Sequence, residues 1–188
     1  MITELNVVIL PQLVVPHEIS RQTVVMVDVL RASTTIIAAL SNGAQAIYPC
    51  AEIPAARSLA EQLGRRTILG GERQGTRIDG FDAGNSPLEY DRPHVDGKRI
   101  VFCTSNGTYT LKCCRAARQI LIGSFVNLSA ICCRIESVPR VSIVCAGTDR
   151  DVSDEDVLYA GAVVQQIKSR YQGVCLNDTA RIAASRWR

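Results

Sequence analysis

Strands that alternate with helices predict an α/β protein of three layers, a largely parallel or mixed sheet covered by helices on both faces. Three observations carry this expectation. Short β-branched, apolar runs recur along the chain, as at residues 24–27, 99–103, 119–123 and 141–145. Apolar residues at helical spacing follow each of them. The turns between are rich in Ser, Thr, Asn and Gly, and an open α/β sheet forms its ligand crevice at such carboxyl ends of strands.

Taken in order, residues 6–10 read as a strand stopped by Pro11, and a loop with Pro16 and His17 leads to the buried strand of residues 24–27. That strand ends at Asp28. A helix with Ile36, Ile37 and Leu40 on one face follows and closes at Asn42-Gly43, where glycine accepts the left-handed conformation of a helix end. Residues 46–48 give a short strand. Pro54 suits the first turn of a helix that carries Ala55, Leu59, Ala60 and Leu63 up to Gly64. Residues 67–69 form the next strand. From 70 to 93 neither periodicity holds, and so long a loop in a compact domain is usually functional or disordered. An ordered active-site loop is expected, anchored by Phe81, Pro87, Leu88 and Tyr90. The strand–helix motif then returns: strand 99–103, polar turn 104–108, and a helix from Leu111. Strand 119–123 passes through residues 124–127 into a helix ending at Ile135. Strand 141–145 leads through Ala146-Gly147-Thr148 and Ser153-Asp154-Glu155-Asp156 into a long helix reaching about Arg170, and residues 177–187 are helical again.

A chain of 188 residues can bury roughly 70% of its unfolded surface, enough for a real core, and a hydrophobic content of 47% excludes disorder. The net charge of +3 is mild and its basic residues are scattered, so no nucleic-acid footprint is expected. Eight cysteines lie inside apolar patterns, with neighbours paired at Cys113-Cys114 and Cys132-Cys133, which points to reduced, buried thiols rather than a disulfide framework. The start of the chain has neither a basic cluster nor an apolar stretch long enough for a signal or a membrane span, so a cytoplasmic location without membrane contact is expected.

Chemistry concentrates in three turns, LRASTT, TSNGT and CAGT. Free backbone N–H groups at a helix start attract anions, and Arg31 and Arg73 stand ready to help. Each turn also has a plain reading as a helix cap. The acids near these turns are Asp28, Glu72, Asp79, Asp82, Asp154, Glu155 and Asp156. Hard oxygen ligands beside a phosphate suit Mg²⁺, which takes one or two carboxylates and fills its octahedron with water and substrate oxygens. Ser153 with Asp156 three residues on reads as a capping box, whereas Asp28, at the end of a buried strand, needs a cation or donors to offset its desolvation. Familiar phosphatase signatures fail. Position 30 is Leu30, which removes the D-x-D nucleophile, and the single C-x₅-R match, Cys175 to Arg181, has no glycine to wrap a phosphate.

DVLRASTTI, GER-x-G, GFDAGNSPLEY, TSNGT, GSFVN and CAG followed by SDEDVLYAG resemble, in order and spacing, the 2-phosphosulfolactate phosphatase family, over residues 7–161. The resemblance implies a Mg²⁺-dependent acid phosphatase with an α/β fold of two intertwined similar motifs; in methanogens the family's reaction yields sulfolactate for coenzyme M biosynthesis. The second turn departs from the family pattern, reading TSNGT in place of TTNGT. Family members continue for roughly fifty residues past Arg188. The expectation is therefore a single phosphatase-like domain, 1–188, without a C-terminal segment that its relatives carry.

With the resemblance in hand, Asp28, Glu72 and Asp82 are assigned to metal or water activation, and Arg31 joins them as a catalytic residue. Arg73 would neutralise phosphate or sulfonate. Ser33, Thr34, Asn85, Ser86, Thr104, Ser105, Asn106, Gly107 and Thr108 complete the substrate-binding set. The cofactor is Mg²⁺ and the partner a small anionic phosphorylated substrate; a homo-oligomer is left open. The rival reading is a degenerate relative that binds an organophosphate as a sensor without turning it over.

Overall fold

The computed structural model describes residues 1–187 and contains two sheets whose strands interleave along the chain. β1 (Glu4–Val8), a short α1 (Pro16–Ile19), β2 (Thr23–Val27) and α2 (Ala32–Ser41) come first. Then follow β3 (Ala46–Cys50), α3 (Ile53–Leu63), β4 (Thr67–Arg73), β5 (Thr76–Arg77), α4 (Arg92–Val95), β6 (Arg99–Cys103) and α5 (Asn106–Cys113). β7 (Gln119–Gly123), α6 (Leu128–Ile135), β8 (Arg140–Cys145), α7 (Asp154–Arg170), β9 (Cys175–Leu176) and α8 (Asp178–Arg186) close the described chain. The first sheet has the order β7-β2-β8-β1-β9, the second β3-β6-β4-β5. All pairings are parallel except the β4–β5 hairpin.

Both sheets are covered on both faces, so the expected three-layer α/β arrangement is present in each. Along β2 the side chains alternate: Val25 and Val27 pack with α6, α7 and α8, while Val24 joins Ile19 and Cys114 on the other face. In the second sheet Ile100 and Phe102 face α2, and Val101 and Cys103 face α3 with Phe81. Helix α2 also meets Ile122 of β7, and so lies between the two sheets. No helix among the described residues is long and apolar enough to cross a membrane.

Three local expectations are corrected. The inner face of α2 is Ala32, Thr35, Ile36 and Ala39, and Leu40 is 47% exposed; sandwiched between two sheets, this helix buries small residues where a single apolar stripe was expected. Segment 70–93 is less irregular than its composition suggests, because β4 runs on to Arg73 and turns back through β5. Phe81 and Tyr90 do anchor it, but Leu88 is 88% exposed. Tyr90 occupies the inward position instead, edge-on to Phe102 with its hydroxyl donating to the Gly84 carbonyl at 2.7 Å. Finally, α5 begins at Asn106, well before Leu111.

Candidate active site

Asp28 follows β2 directly and is 7% exposed. Its Oδ1 accepts from the Ala32 N–H at 3.1 Å, and its own N–H donates to Ser33 Oγ at 2.9 Å. Burial pushes the carboxyl up to about 7, helped by the negative charges of Asp156 and Glu72. Glu72, near the end of β4, accepts from Ser105 N–H through Oε1 and from Gly75 N–H through Oε2, each at 2.8 Å. One carboxylate thus ties the β4–β5 hairpin to the turn that opens α5. Gly107 in that turn has the closest approach: a Cβ there would lie 3.2 Å from Asp28 Oδ2 and 3.1 Å from Ala32 Cβ.

Asp28, Glu72 and Gly75 line a cavity of about 280 Å³ with Leu30, Arg31, Gln74, Asn85, Ser105, Asn106, Thr148 and Asp149. Residues following β2, β6 and β8 meet there with the hairpin of the second sheet, so the carboxyl ends of strands from both sheets share one rim. Arg31 reaches the Gly75 carbonyl at 3.3 Å and is the cation of this cavity. Asn85 is buried, and its Oδ1 has no hydrogen-bond partner among the described residues. An orphaned amide oxygen of this kind costs about 1–3 kcal/mol unless a ligand meets it.

The structure brings Asp28, Arg31, Glu72, Asn85, Ser105 and Asn106 together, with Gly107 against them. It does not bring Asp82, whose Oδ2 accepts from Leu69 N–H at 2.8 Å in an exposed setting and which lines a separate hollow with Arg65, His94 and Lys98. Asp82 immediately precedes Ala83, which bridges Gly70, and its own N–H donates to the Leu69 carbonyl, so it is held beside the middle of β4 and away from the strand's carboxyl end where Glu72 sits. The expected three-carboxylate metal set is therefore not assembled, and no group of three or more His, Cys, Asp or Glu is placed to hold a metal among the described residues. Ser33 and Thr34 are consumed internally, the first by Asp28 N–H, the second by the Val29 carbonyl and Ser124 Oγ. Ser86 lies outside the cavity lining, its carbonyl accepting from Glu89 N–H. Arg73, Thr104 and Thr108 line an adjoining cavity of about 340 Å³ that shares Ser105 with the first and includes Lys112.

The sequence reads Asp156 only as an acid near the turns and a capping-box partner, and its actual role differs. It does not form the expected capping box: Ser153 Oγ pairs with Thr148 Oγ1 at 2.8 Å instead. The Asp156 carboxylate is 2% exposed and accepts from Val29 N–H through Oδ1 and from Ala146 and Gly147 N–H through Oδ2, at 2.8–3.1 Å. It thereby clamps the turns after β2 and β8 together. Burial raises this carboxyl to about 6, against the lowering effect of its three N–H donors. The usable signal was an acid aligned with the CAG turn, which the helix-cap pattern concealed.

A family model described as 2-phosphosulpholactate phosphatase matches residues 8–188. Among curated relatives, the probable 2-phosphosulfolactate phosphatase of Caldanaerobacter subterraneus subsp. tengcongensis is 42% identical over 155 residues, 81% of this chain and 64% of that protein. The protein of the same name from Caldicellulosiruptor saccharolyticus is 41% identical over 160 residues, 82% of this chain and 66% of its own length. That from Thermotoga petrophila is 42% identical over 165 residues, 86% and 68% respectively. The chain thus spans just under two thirds of the length of the first two.

Proposed function

Because the chain belongs to the 2-phosphosulpholactate phosphatase family, we propose that it hydrolyses a small acidic phosphomonoester such as 2-phosphosulfolactate to the free hydroxy acid and inorganic phosphate. The observation that carries this reading is the convergence of Asp28, Glu72 and Asn85 on one cavity beside Arg31 and the first turn of α5.

Mg²⁺ fits this donor set. Asp28 and Glu72 supply two carboxylates, Asn85 Oδ1 a neutral oxygen without a protein partner, and all three are hard ligands of the kind and number this ion takes. When bound, the ion would offset the crowded negative charge and polarise a phosphoryl oxygen. The rest belongs to the chain. Arg31 holds the phosphate by charge, and the N–H groups at the start of α5 present a positive helix end to it. Ser105 and Asn106 orient the ester. Glu72 keeps that turn in place through Ser105 N–H.

The test is phosphate release from 2-phosphosulfolactate and from generic esters, in chelated buffer and with Mg²⁺ restored. Turnover should vanish with EDTA and return with Mg²⁺, and Arg31→Ala should raise KM roughly tenfold, the value of one charge-assisted contact. Tight substrate binding without any turnover in either buffer would favour the sensor reading. Full turnover in exhaustively chelated buffer would remove the ion from the mechanism.

A further inference from the structure

The second sheet sets two free cysteines side by side just outside the active-site cavity. Cys50 ends β3, Cys103 ends β6, and the two are register partners in that parallel ladder. Registered residues on neighbouring strands share a face and lie about 4.8 Å apart, inside the ~4.4–6.8 Å Cα separation of disulfides. Both thiols belong to one apolar cluster under α3. On the next strand, the Arg73 guanidinium donates to Cys103 Sγ at 3.1 Å and to the carbonyl of Ala51, the residue after Cys50. A cation so placed favours a thiolate, in opposition to burial, which pushes the Cys103 thiol up. Cys50 is half-buried and Cys103 fully buried, which sets the order in which a reagent can meet them.

We propose that Cys50 and Cys103 form a reversible thiol–disulfide modification site that reacts with small disulfides. The Cys50 thiolate attacks one sulfur of the reagent, so a mixed disulfide forms and one small thiolate leaves. The Cys103 thiolate then attacks Cys50 Sγ; the Cys50–Cys103 bond forms, the mixed bond breaks, and the second small thiolate leaves. Two electrons pass from the protein to the reagent, and the two cysteine protons end on the two released thiols. The effect is local. A disulfide sulfur is a poorer partner for a guanidinium than a thiol or thiolate, so Arg73 keeps its backbone acceptors at Glu72 and Ala51 but loses its sulfur contact, beside the cavity it lines with Thr104, Thr108 and Lys112.

The full chain, incubated with glutathione disulfide, alkylated and digested without reduction, should yield a Cys50–Cys103 linked peptide lighter by two hydrogens than its two free parts. Dithiothreitol should reverse it and Cys50→Ser abolish it. Cys103→Ala should trap the glutathione adduct on Cys50; if that variant does not fold, the peptide map of the unaltered chain decides by itself. Adducts confined to the exposed Cys133 and Cys175, with Cys50 and Cys103 both alkylated, would overturn the proposal. So would a glutathione adduct on Cys50 that persists in the unaltered chain without resolving.

Discussion

At Asp28 the folded protein holds a carboxyl that titrates near 7, while the unfolded chain titrates near 3.8. Between those values the native state keeps a proton that the unfolded state has lost, so stability falls as pH rises through this window and levels off above it. Asp28→Asn removes the penalty. In chelated buffer at about pH 8 this variant should be more stable than the parent by on the order of 1–3 kcal/mol, with a flatter slope from about pH 5 to 8, yet without turnover. Thermal melts across pH check this, and a variant less stable at about pH 8 with an unchanged slope would put the strain elsewhere. Asp82→Ala should leave turnover within about twofold and cost at most ~1 kcal/mol, the worth of one exposed hydrogen bond to Leu69 N–H. Asp156→Asn should cost more, on the order of 2–3 kcal/mol, because an amide cannot accept from the three N–H groups that the buried carboxylate serves. Of these three acids, sequence singled out Asp28 correctly for the cavity, since a charge at the end of an all-buried strand demands a partner. It put Asp82 in the metal set and Asp156 in a helix cap, the reverse of which one lies near the cavity, because which side of a strand or turn an acid faces depends on a register set by distant residues.

The elements themselves were easier to read than their faces. Strands β6 and β7 fall where their apolar runs begin and end, and α3 stops at Gly64. The two-sided environment of α2 and the early start of α5 were not legible, because both depend on what packs against them. The start of α5 carries its own test: in Gly107→Ala the new methyl would stand 3.1–3.2 Å from Thr104 Oγ1, Ala32 Cβ and Asp28 Oδ2. A few tenths of an ångström of displacement should lower kcat by an order of magnitude or more, as misplaced catalytic groups do, while the melt shifts by ~1 kcal/mol. Gly71→Ala should be far worse, since its φ of 137° resists a side chain and its Cβ would meet the Cys103 carbonyl oxygen at 1.9 Å. Soluble yield and far-ultraviolet circular dichroism report that difference.

Over the whole molecule, alternation of strand and helix made the α/β class plain, whereas the division into two sheets left no mark in composition or spacing. Nothing local distinguishes β2 from β6, and only pairing assigns one to each sheet. That pairing has a consequence for the order in which the protein can be made. All strands of the second sheet lie within 46–103, a contiguous stretch. β1, by contrast, finds its partners only in β8 and β9, with Glu4 and Arg140 joined across 136 positions. On the ribosome the middle of the chain can therefore settle while β1 and the apolar β2, synthesised first, still wait with open edges. Contacts so distant in sequence form slowly and leave such edges exposed to aggregation, so the pace of translation through β7 and β8 should govern how much of this protein a cell recovers in native form.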